Sequence, residues 1–218
     1  MKELTITSAD ILGNKEDNAP RRRGNRNTRV PEILEVATRV FAAEGSAGFT
    51  QRRIASEAGI RLSTLQHYFG TREELLRSTI EARSRRSFEL YRTLLKDRSR
   101  SPDTLLDAIV DNVFTALDGS DASVGAFALQ CWSLAEKEEF AREAVAEINA
   151  ELQDIFATVV ARVNPSLSTA ECSLRGALIL SHLLGLVIYA RRAGHNAPDP
   201  EDLRVATKVV WKALSKAS

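Results

Sequence analysis

Side chains that could carry catalysis or hold a metal ion are sparse in this sequence of 218 residues. Its histidines, His67, His182 and His195, stand far apart, and none belongs to the Glu-x-x-His pair that a di-iron helical bundle uses. There is no Gly-x-Ser-x-Gly element, no P-loop and no paired-cysteine metal motif. Asp and Glu are plentiful but fall on charged helix faces. The sequence therefore predicts a protein that is not an enzyme and has no catalytic residue, metal ion or cofactor.

Groups that contact nucleic acid are concentrated in one short segment, residues 61–67. Guanidinium, hydroxyl, amide and imidazole groups can bond to base edges or to phosphates. The segment has such groups at five positions, with the apolar Leu62 among them: Arg61, Ser63, Thr64, Gln66 and His67. We interpret these side chains as a DNA-contacting surface on which Arg61 or Gln66 reads bases. The alternative is an ordinary solvated helix face.

Two short predicted helices and a tight turn would position this segment. Thr50 is an N-cap for the first helix, which ends at Gly59, and the second helix covers residues 62–69. The small Ala55 allows the helices to cross closely, and Gly59 permits the backbone of the turn, with Ile60 filling the core beneath it. Such a helix-turn-helix projects its second helix outward, where it fits a major groove.

Residues 31–77 as a whole resemble the TetR (tetracycline-repressor) family of transcription factors. The resemblance rests on the spacing of glycine, threonine, apolar and acidic positions: Phe41, Gly45, Phe49, Thr50, Ile54, Ala55, Ala58, Gly59, Ile60, Thr64, Leu65, Phe69, Glu73 and Leu75. It implies an N-terminal DNA-binding domain, a C-terminal helical domain and a dimer that responds to a small molecule.

Several positions depart from the family pattern. Arg61 stands where a serine usually caps the second helix, and Ser63 where a glycine or proline is usual. Gln66 occupies the place of a phosphate-binding tyrosine, so Tyr68, which replaces a histidine, is expected to make that contact instead. Arg72 replaces the usual lysine. None of these changes removes the ability to bind DNA.

An arginine-rich arm extends the predicted interface toward the N-terminus. Residues 21–80 have a net charge of +5, whereas residues 1–20 and 81–218 each sum to −2, as expected for a basic module on a near-neutral body. The arm, residues 21–29, could follow the DNA backbone or enter a minor groove; the alternative is a disordered tail that matters only for solubility. The full set of predicted DNA-binding residues is Arg26, Arg29, Thr50, Arg52, Arg61, Leu62, Ser63, Thr64, Gln66, His67, Tyr68 and Arg72.

The rest of the sequence has the patterns of successive helices, so the predicted fold class is all-α with about nine helices. Pro31 opens the first helix, Gly45 and Gly48 end it, and a capping box at residues 71–74 opens the fourth. Later helices are expected near residues 102–118, 123–134, 137–163, 168–194 and 200–215. The predicted domains are a flexible tail (1–20), the basic arm with the helix-turn-helix (21–77), and an effector-binding and dimerisation domain (78–218).

The resemblance places the effector pocket and the dimer interface after about residue 80. Aromatic side chains with a few polar groups suit a largely apolar effector; the candidates, each of which could also be ordinary core, are Phe88, Tyr91, Phe114, Phe127, Cys131, Trp132, His182 and Tyr189. Small residues on the last two helices would let a partner helix approach closely, unless they pack within the chain. The predicted interface residues are Ala177, Ser181, Gly185, Leu203, Ala206 and Val210.

The composition indicates the cellular compartment of the protein and the kinds of partner to expect. Cys131 and Cys172 have apolar neighbours, which is typical of buried thiols in a reducing compartment. The N-terminus lacks the apolar core of a signal peptide, and the most apolar stretch, residues 176–190, is short for a membrane span. We expect a cytoplasmic, nucleoid-associated homodimer with no membrane partner, a repressor released from a double-stranded, palindromic DNA operator by a small, unidentified effector. The alternative function is a helical small-molecule binder or scaffold that has lost specific DNA binding.

Overall fold

The structure, a computed structural model, describes residues 26–118 and 123–216, and every regular element within them is helical. The order is α1 (Arg26–Gly48), α2 (Gln51–Glu57), α3 (Leu62–Tyr68), α4 (Arg72–Lys96), α5 (Pro102–Asp118), α6 (Ser123–Ala135), α7 (Glu139–Val163), α8 (Thr169–Arg192) and α9 (Pro200–Lys216), with one 3₁₀ turn at Gly194–Asn196. The all-α class with about nine helices is confirmed for this part of the chain. The predicted tail 1–20 and Arg21, Arg22 and Arg23 of the predicted arm lie outside the described residues.

Helix α1 begins earlier than its sequence predicts. Pro31 was expected to open it, but the helix starts at Arg26, so Arg26 and Arg29 belong to its first turns rather than to an arm that precedes it. Pro31 is the sixth residue of α1, so it has no N–H to donate to the Asn27 carbonyl, and its ring crowds that carbonyl. Arg29 also pairs with Glu32 across this turn, at 2.9 Å between Nη1 and Oε2. Gly45, with φ of 65°, interrupts the helix where an end was predicted.

Hydroxyl side chains cap four of the helices, and one of them is Ser101, whose Oγ accepts from the Thr104 N–H at 3.2 Å at the start of α5. Thr50, Thr71 and Ser168 have extended backbones, and their oxygens accept from the N–H three residues on, at the starts of α2, α4 and α8. This is the bond that makes these residue types favourable N-caps. The capping box of α4 closes one residue early, because Glu74 accepts from the N–H of Gly70 at 3.0 Å. Local sequence therefore sets these starts.

Two apolar cores share one helix. The first core joins α1, α2, α3 and the N-terminal part of α4 to α6 and the start of α7, whereas the second lies among α4, α5, α7, α8 and α9. Phe127 and Cys131 of α6 are buried in the first core, and Ala128 and Trp132 pack against the second. Helix α6 therefore connects the helix-turn-helix to the C-terminal helices. Both cysteines are buried free thiols, as predicted.

Helices α7 and α8 pack very closely at Gly176. A Cβ at that position would lie 2.8 Å from the backbone nitrogen of Ala157 and from the carbonyl oxygen of Gln153. Helix α8 is, by length and composition, the one helix in the described ranges that could cross a membrane, a test that the core helix of a globular protein also passes. Its buried side packs into the second core.

Helix α9 is held to α5 by a row of ion pairs. Lys208, Lys212 and Lys216 lie one turn apart, and their Nζ atoms reach carboxylates on α5. The distances are 2.6 Å to Asp111, 2.7 Å to Asp107 and 2.8 Å to Asp103. Trp211, which lies between Lys208 and Lys212 in the sequence, is fully buried. The side of α9 that carries it is therefore fixed against the second core.

Candidate nucleic-acid interface and ligand cavity

Helices α2 and α3 form the predicted helix-turn-helix. Thr50 Oγ1 accepts from the Arg53 N–H at 3.2 Å, and Gly59 turns the chain with φ of 63°. The N–H of Ile60 donates to the carbonyl of Ala55 at 3.0 Å, which closes the turn. Leu65 anchors α3 in the first core and is completely buried. This packing orients the remaining faces of α3 outward.

The outward face of α3 contains most of the polar side chains predicted to contact DNA. Arg61, Ser63, Gln66 and His67 are exposed, and Thr64 is half-buried. Leu62 and Tyr68, also predicted as contacts, are half-buried against the first core instead of standing free. The exposed polar side chains therefore share one face of α3, whereas Leu62 and Tyr68 also pack against the first core.

Arg61 has an exposed guanidinium and lies at the N-cap of α3, where no side chain caps the helix. It is the N-cap residue of α3, with an extended backbone, and its side chain makes no capping bond. The loss of the cap, expected from the replacement of serine, is confirmed. Its guanidinium has no hydrogen bond or ion pair to the described part of the chain, so every donor on it is available to another molecule.

The other predicted arginines differ in how far they are engaged. Arg52 is exposed on α2 and makes no ion pair within residues 26–118 or 123–216, whereas its neighbour Arg53 pairs with Glu44 and Glu57. Arg72 has a structural role that the sequence did not indicate. It donates from Nε to the Phe49 carbonyl at 2.8 Å and from Nη2 to the Ser46 carbonyl at 2.6 Å. Its partners are 23 and 26 residues away, beyond the reach of local patterns.

A second bond fixes the angle between α2 and α3. The side-chain amide of Gln51 donates to the carbonyl of Phe69 at 2.9 Å, joining the start of α2 to the C-cap of α3. With the Arg72 bonds, it links the backbone on both sides of the helix-turn-helix to neighbouring elements. Sequence reasoning missed Gln51 because an exposed-looking glutamine gives no signal of such a partner.

An apolar cavity of about 180 Å³ lies among α4, α5, α6, α7 and α8. Five of the residues predicted to line a pocket do line it, from α4 and α6: Phe88, Tyr91, Phe127, Cys131 and Trp132. The expected location between the fourth and eighth helices is thus where the cavity lies. Phe127 and Cys131 face it while also belonging to the first core, so the cavity borders the helix-turn-helix domain directly.

Three predicted pocket residues do not line this cavity. Phe114 is buried in the second core without lining the cavity. Tyr189 is 42% exposed on the outer side of α8. His182 accepts at Nδ1 from the indole N–H of Trp211, at 2.8 Å, and so joins α8 to α9. Helix registers rather than residue types decide these placements, because α8 turns His182 and Tyr189 away from α4 and α6.

Burial suppresses ionisation around the cavity. It raises the pKa of Tyr91 to about 12 and that of the Cys131 thiol to about 12. Both groups are therefore neutral at physiological pH, and Cys131 lacks the thiolate that a reactive cysteine needs. Burial also lowers the pKa of His182, which favours the neutral imidazole that accepts from Trp211. Tyr91 and Cys131 thus present uncharged groups to the cavity.

The outer faces of α8 and α9 form an exposed apolar surface. Leu174, Leu178, Ile188 and Tyr189 of α8 are between 42% and 56% exposed, and Val205, Val209 and Val210 of α9 between 42% and 63%. Two small residues of the predicted interface, Ser181 and Gly185, lie on this face, with open space at the Gly185 Cβ position. Ala206 and Val210 are exposed as well, while Ala177 and Leu203 are half-buried. Most of these large apolar side chains were not predicted, because the sequence prediction relied on small residues that let helices approach closely.

Comparison with known proteins identifies the N-terminal domain. Residues 33–79 match the family model described as bacterial regulatory proteins, tetR family. Over 132 residues the chain is 28% identical to the HTH-type transcriptional repressor KstR2 of Rhodococcus jostii (strain RHA1), an alignment covering 61% of this chain and 63% of that protein. The chain thus spans less than two thirds of the length of this curated relative.

Solved structures extend the likeness to both domains. A TetR transcription regulator from Haloarcula marismortui ATCC 43049 superposes with a TM-score of 0.71 at 15% identity, covering 88% of this chain and 98% of that chain. The transcriptional regulator FadR from Bacillus subtilis, in complex with stearoyl-CoA, gives 0.67 at 17% identity, with coverage of 86% and 98%. At these identities the likeness shows the fold alone, a helix-turn-helix domain followed by a helical domain.

Proposed function

We propose that this chain is a member of the TetR family of bacterial regulatory proteins and, on that premise, that it represses transcription by binding a DNA operator as a homodimer. The observation that supports this most is the outward face of α3. It holds exposed hydrogen-bonding side chains, with Arg61 unpaired at its start, on a helix whose other face is anchored by Leu65. A rigid helix with such a face is what major-groove reading requires.

In the proposed complex, Arg61 or Gln66 reads base edges in the major groove. Arginine can bond to guanine with two donors at once, and glutamine to adenine with a donor and an acceptor. Ser63, Thr64 and His67 would contact bases or phosphates beside them, with Leu62 at the edge of the contact. Thr50, Arg52, Tyr68 and Arg72 would contact the phosphate backbone, as would Arg26 and Arg29 from the start of α1. Phosphate contacts set the position of the helix and make binding dependent on salt.

The proposed dimer would form through the exposed apolar surface of α8 and α9. A soluble protein rarely leaves a contiguous apolar surface of this kind open to water. A two-fold dimer would place two α3 helices about 34–36 Å apart, one turn of DNA, on a palindromic operator. The resulting DNA-bound dimer would be a cytoplasmic, nucleoid-associated protein.

The proposed effector is a small, largely apolar molecule in the cavity, where its binding would weaken the hold on DNA. Effector and DNA can oppose each other only if the effector prefers the conformation that fits DNA less well. Helix α4 is one route, since it lines the cavity and begins beside the helix-turn-helix. Helix α6 is a second, because the Phe127 ring faces the cavity and lies 5.3 Å from the ring of Phe41 in α1.

Selection of DNA from a random pool by the full-length protein, at about 150 mM salt, tests the proposal, because non-specific binding is weak there. The expected result is enrichment of a two-fold symmetric motif. Arg61→Ala should cost about 1–3 kcal/mol of binding free energy and relax specificity at one position of each half-site. Arg98→Ala, which changes an exposed arginine between α4 and α5, is the matched control and should leave the motif unchanged.

Other outcomes would contradict parts of the proposal. Equal loss of affinity on all sequences in Arg61→Ala would make Arg61 a phosphate contact only. The absence of any enriched motif from a folded, dimeric protein would favour the alternative function, a helical small-molecule binder that has lost specific DNA binding. Removal of residues 1–25 without a change in the salt dependence of binding would exclude a role for that segment in DNA contact.

A further inference from the structure

Three polar side chains line the apolar cavity without a hydrogen bond to the part of the chain that the structure describes. They are the Tyr91 hydroxyl from α4, the Trp132 indole N–H from α6 and the Asn149 amide from α7. The Tyr91 side chain is only 9% exposed, and its remaining exposed surface borders this cavity. Because no described residue engages the hydroxyl, it is available to donate a hydrogen bond to a molecule in the cavity.

The size of the cavity limits that molecule. At about 180 Å³ it is slightly larger than an engineered protein cavity of about 150 Å³ that binds benzene. A single ring with a short substituent therefore fits the cavity as it stands. Apolar walls such as Phe88, Phe127 and Leu183 would enclose the ring, and contact with these walls is favourable for an apolar body.

Charge limits the molecule further. Arg83 is the only charged side chain among the described residues that line the cavity, and its Nη1 lies 3.4 Å from Ser87 Oγ on the same helix. The surroundings of Tyr91 and Cys131 disfavour an anion, since burial raises the pKa of each to about 12. A carboxylate in the same place would lose its hydration in the same way. An uncharged molecule avoids this cost.

We infer that the cavity binds an uncharged, ring-sized apolar molecule that has a hydrogen-bond-accepting oxygen, and that the Tyr91 hydroxyl donates to this oxygen. A ketone, an ester or a phenol has the required chemistry. The Trp132 N–H and the Asn149 amide provide further donors at the same cavity from two other helices. The inference deepens the proposed function, because this molecule would be the effector, but it concerns binding at the cavity alone.

Three related probes test the inference by calorimetry on the full-length protein. Acetophenone is a ring with a carbonyl, α-methylstyrene has the same shape with a methylene in place of the oxygen, and benzoate places a negative charge there. We expect acetophenone to bind about 2- to 12-fold more tightly than α-methylstyrene, which is the ratio for one net hydrogen bond. Benzoate should bind more weakly than acetophenone.

Tyr91→Phe removes only the hydroxyl and should abolish the preference for acetophenone over α-methylstyrene. Thr93→Val also removes a hydroxyl from α4, but on its exposed side and outside the cavity lining, and should leave the preference intact. The Tyr91→Phe protein should melt at or above the temperature of the unchanged protein, because the hydroxyl it loses has no partner. A clear fall in melting temperature would reveal a protein partner for Tyr91 and overturn the inference.

The remaining outcomes are equally decisive. Equal binding of acetophenone and α-methylstyrene, or an unchanged preference in Tyr91→Phe, would overturn the role of Tyr91. Tightest binding by benzoate would make the cavity an anion site centred on Arg83. Failure of all three probes to bind would overturn the inference as a whole. The proposed DNA function is judged separately, by motif selection without any probe, so failure of one does not imply failure of the other.

Discussion

Arg61 combines two roles that a single substitution can separate, because it both begins α3 and points away from it. Its side chain makes no capping bond, whereas a serine oxygen at an N-cap can accept from a backbone N–H of the first turn. Arg61→Ser should therefore raise the free energy of unfolding by about 0.5–1 kcal/mol, measured by urea denaturation. The same change should weaken binding to the selected motif, since a charged donor is lost.

Arg61→Ala distinguishes the two effects. It removes the guanidinium but adds no capping oxygen, so it should weaken DNA binding without the gain in stability. If Arg61→Ser proves no more stable than Arg61→Ala, the missing cap is not a weakness of α3. If Arg61→Ser binds the motif as tightly as the unchanged protein, Arg61 has no part in reading DNA.

His182 should make stability depend on pH through its bond to Trp211. Burial lowers its pKa in the folded chain, so between the folded and unfolded pKa values the unfolded chain binds more protons. The stabilising contribution is thus present above about pH 6.5 and is lost as pH falls through the folded pKa. Protonated Nδ1 also cannot accept the indole N–H, which contacts it at 2.8 Å.

Melting temperatures between pH 5 and 8 test this expectation. His182→Gln keeps an acceptor for Trp211 but does not titrate, so its melting temperature should fall less on acidification than that of the unchanged protein. His195→Gln, at an exposed position in the 3₁₀ turn, should follow the unchanged protein. Parallel curves for His182→Gln and the unchanged protein would show that this histidine has the same pKa in both states.

At the scale of elements, the contact between α7 and α8 depends on the absence of a side chain at Gly176. A Cβ there would lie 2.8 Å from backbone atoms of α7, which cannot move aside as a flexible side chain can. Gly176→Ala should lower the free energy of unfolding by about 1–3 kcal/mol, the usual cost of overpacking. This reverses the sign expected from helix propensity alone, since alanine favours a helix by about 1 kcal/mol over glycine.

Gly185→Ala provides the comparison for Gly176→Ala in thermal or urea denaturation. It adds the same methyl group to the same helix, but within the chain that methyl meets open space. Because Gly185 lies on the proposed dimer surface, both variants are compared at concentrations where the chain is monomeric, and Gly185→Ala should then show the propensity gain that Gly176→Ala lacks. A Gly176→Ala protein as stable as the unchanged one would mean that α7 and α8 can separate at no cost.

The elements could be predicted from sequence wherever neighbouring residues decide them. Thr50, Thr71 and Ser168 cap helices through bonds to the third residue on, and Gly59 turns the chain by its own φ angle. The start of α1 at Arg26 was missed, because a proline is favourable only in the first turn of a helix, whereas Pro31 lies five residues after the first residue of α1.

The site was less predictable because its contacts join residues far apart in the chain. The face of α3 followed from helical periodicity, but the bonds from Arg72 to Ser46 and Phe49 depend on the packing of α4 beside the end of α1. Likewise, residue type suggested an aromatic lining for the cavity and was right for Phe88, Tyr91 and Trp132. It could not tell that Phe114 faces a core or that Tyr189 faces outward, since the rotation of each helix is set by its partners.

At the scale of the molecule, the apolar surface of α8 and α9 should determine the assembly on which DNA reading depends. Leu178 is 46% exposed on this surface, and a glutamate there would have to be buried without a partner when two copies meet. Leu178→Glu should convert the dimer to a monomer in sedimentation equilibrium. A monomer presents a single α3 helix, so tight binding to a two-fold site with half-sites about 34–36 Å apart should be lost as well.

Leu90→Glu is the matched control for this prediction. Leu90 is 43% exposed, but it lies on α4 and away from the surface of α8 and α9. Both variants make the same chemical change at similar exposure, so any general cost of the added charge to folding or DNA binding appears equally in each. A Leu178→Glu protein that stays dimeric and still binds DNA, or a loss of the dimer in Leu90→Glu alone, would place the interface elsewhere. Retention of the dimer together with loss of DNA binding in Leu178→Glu would mean that α8 controls the distance between the α3 helices rather than the association of the chains.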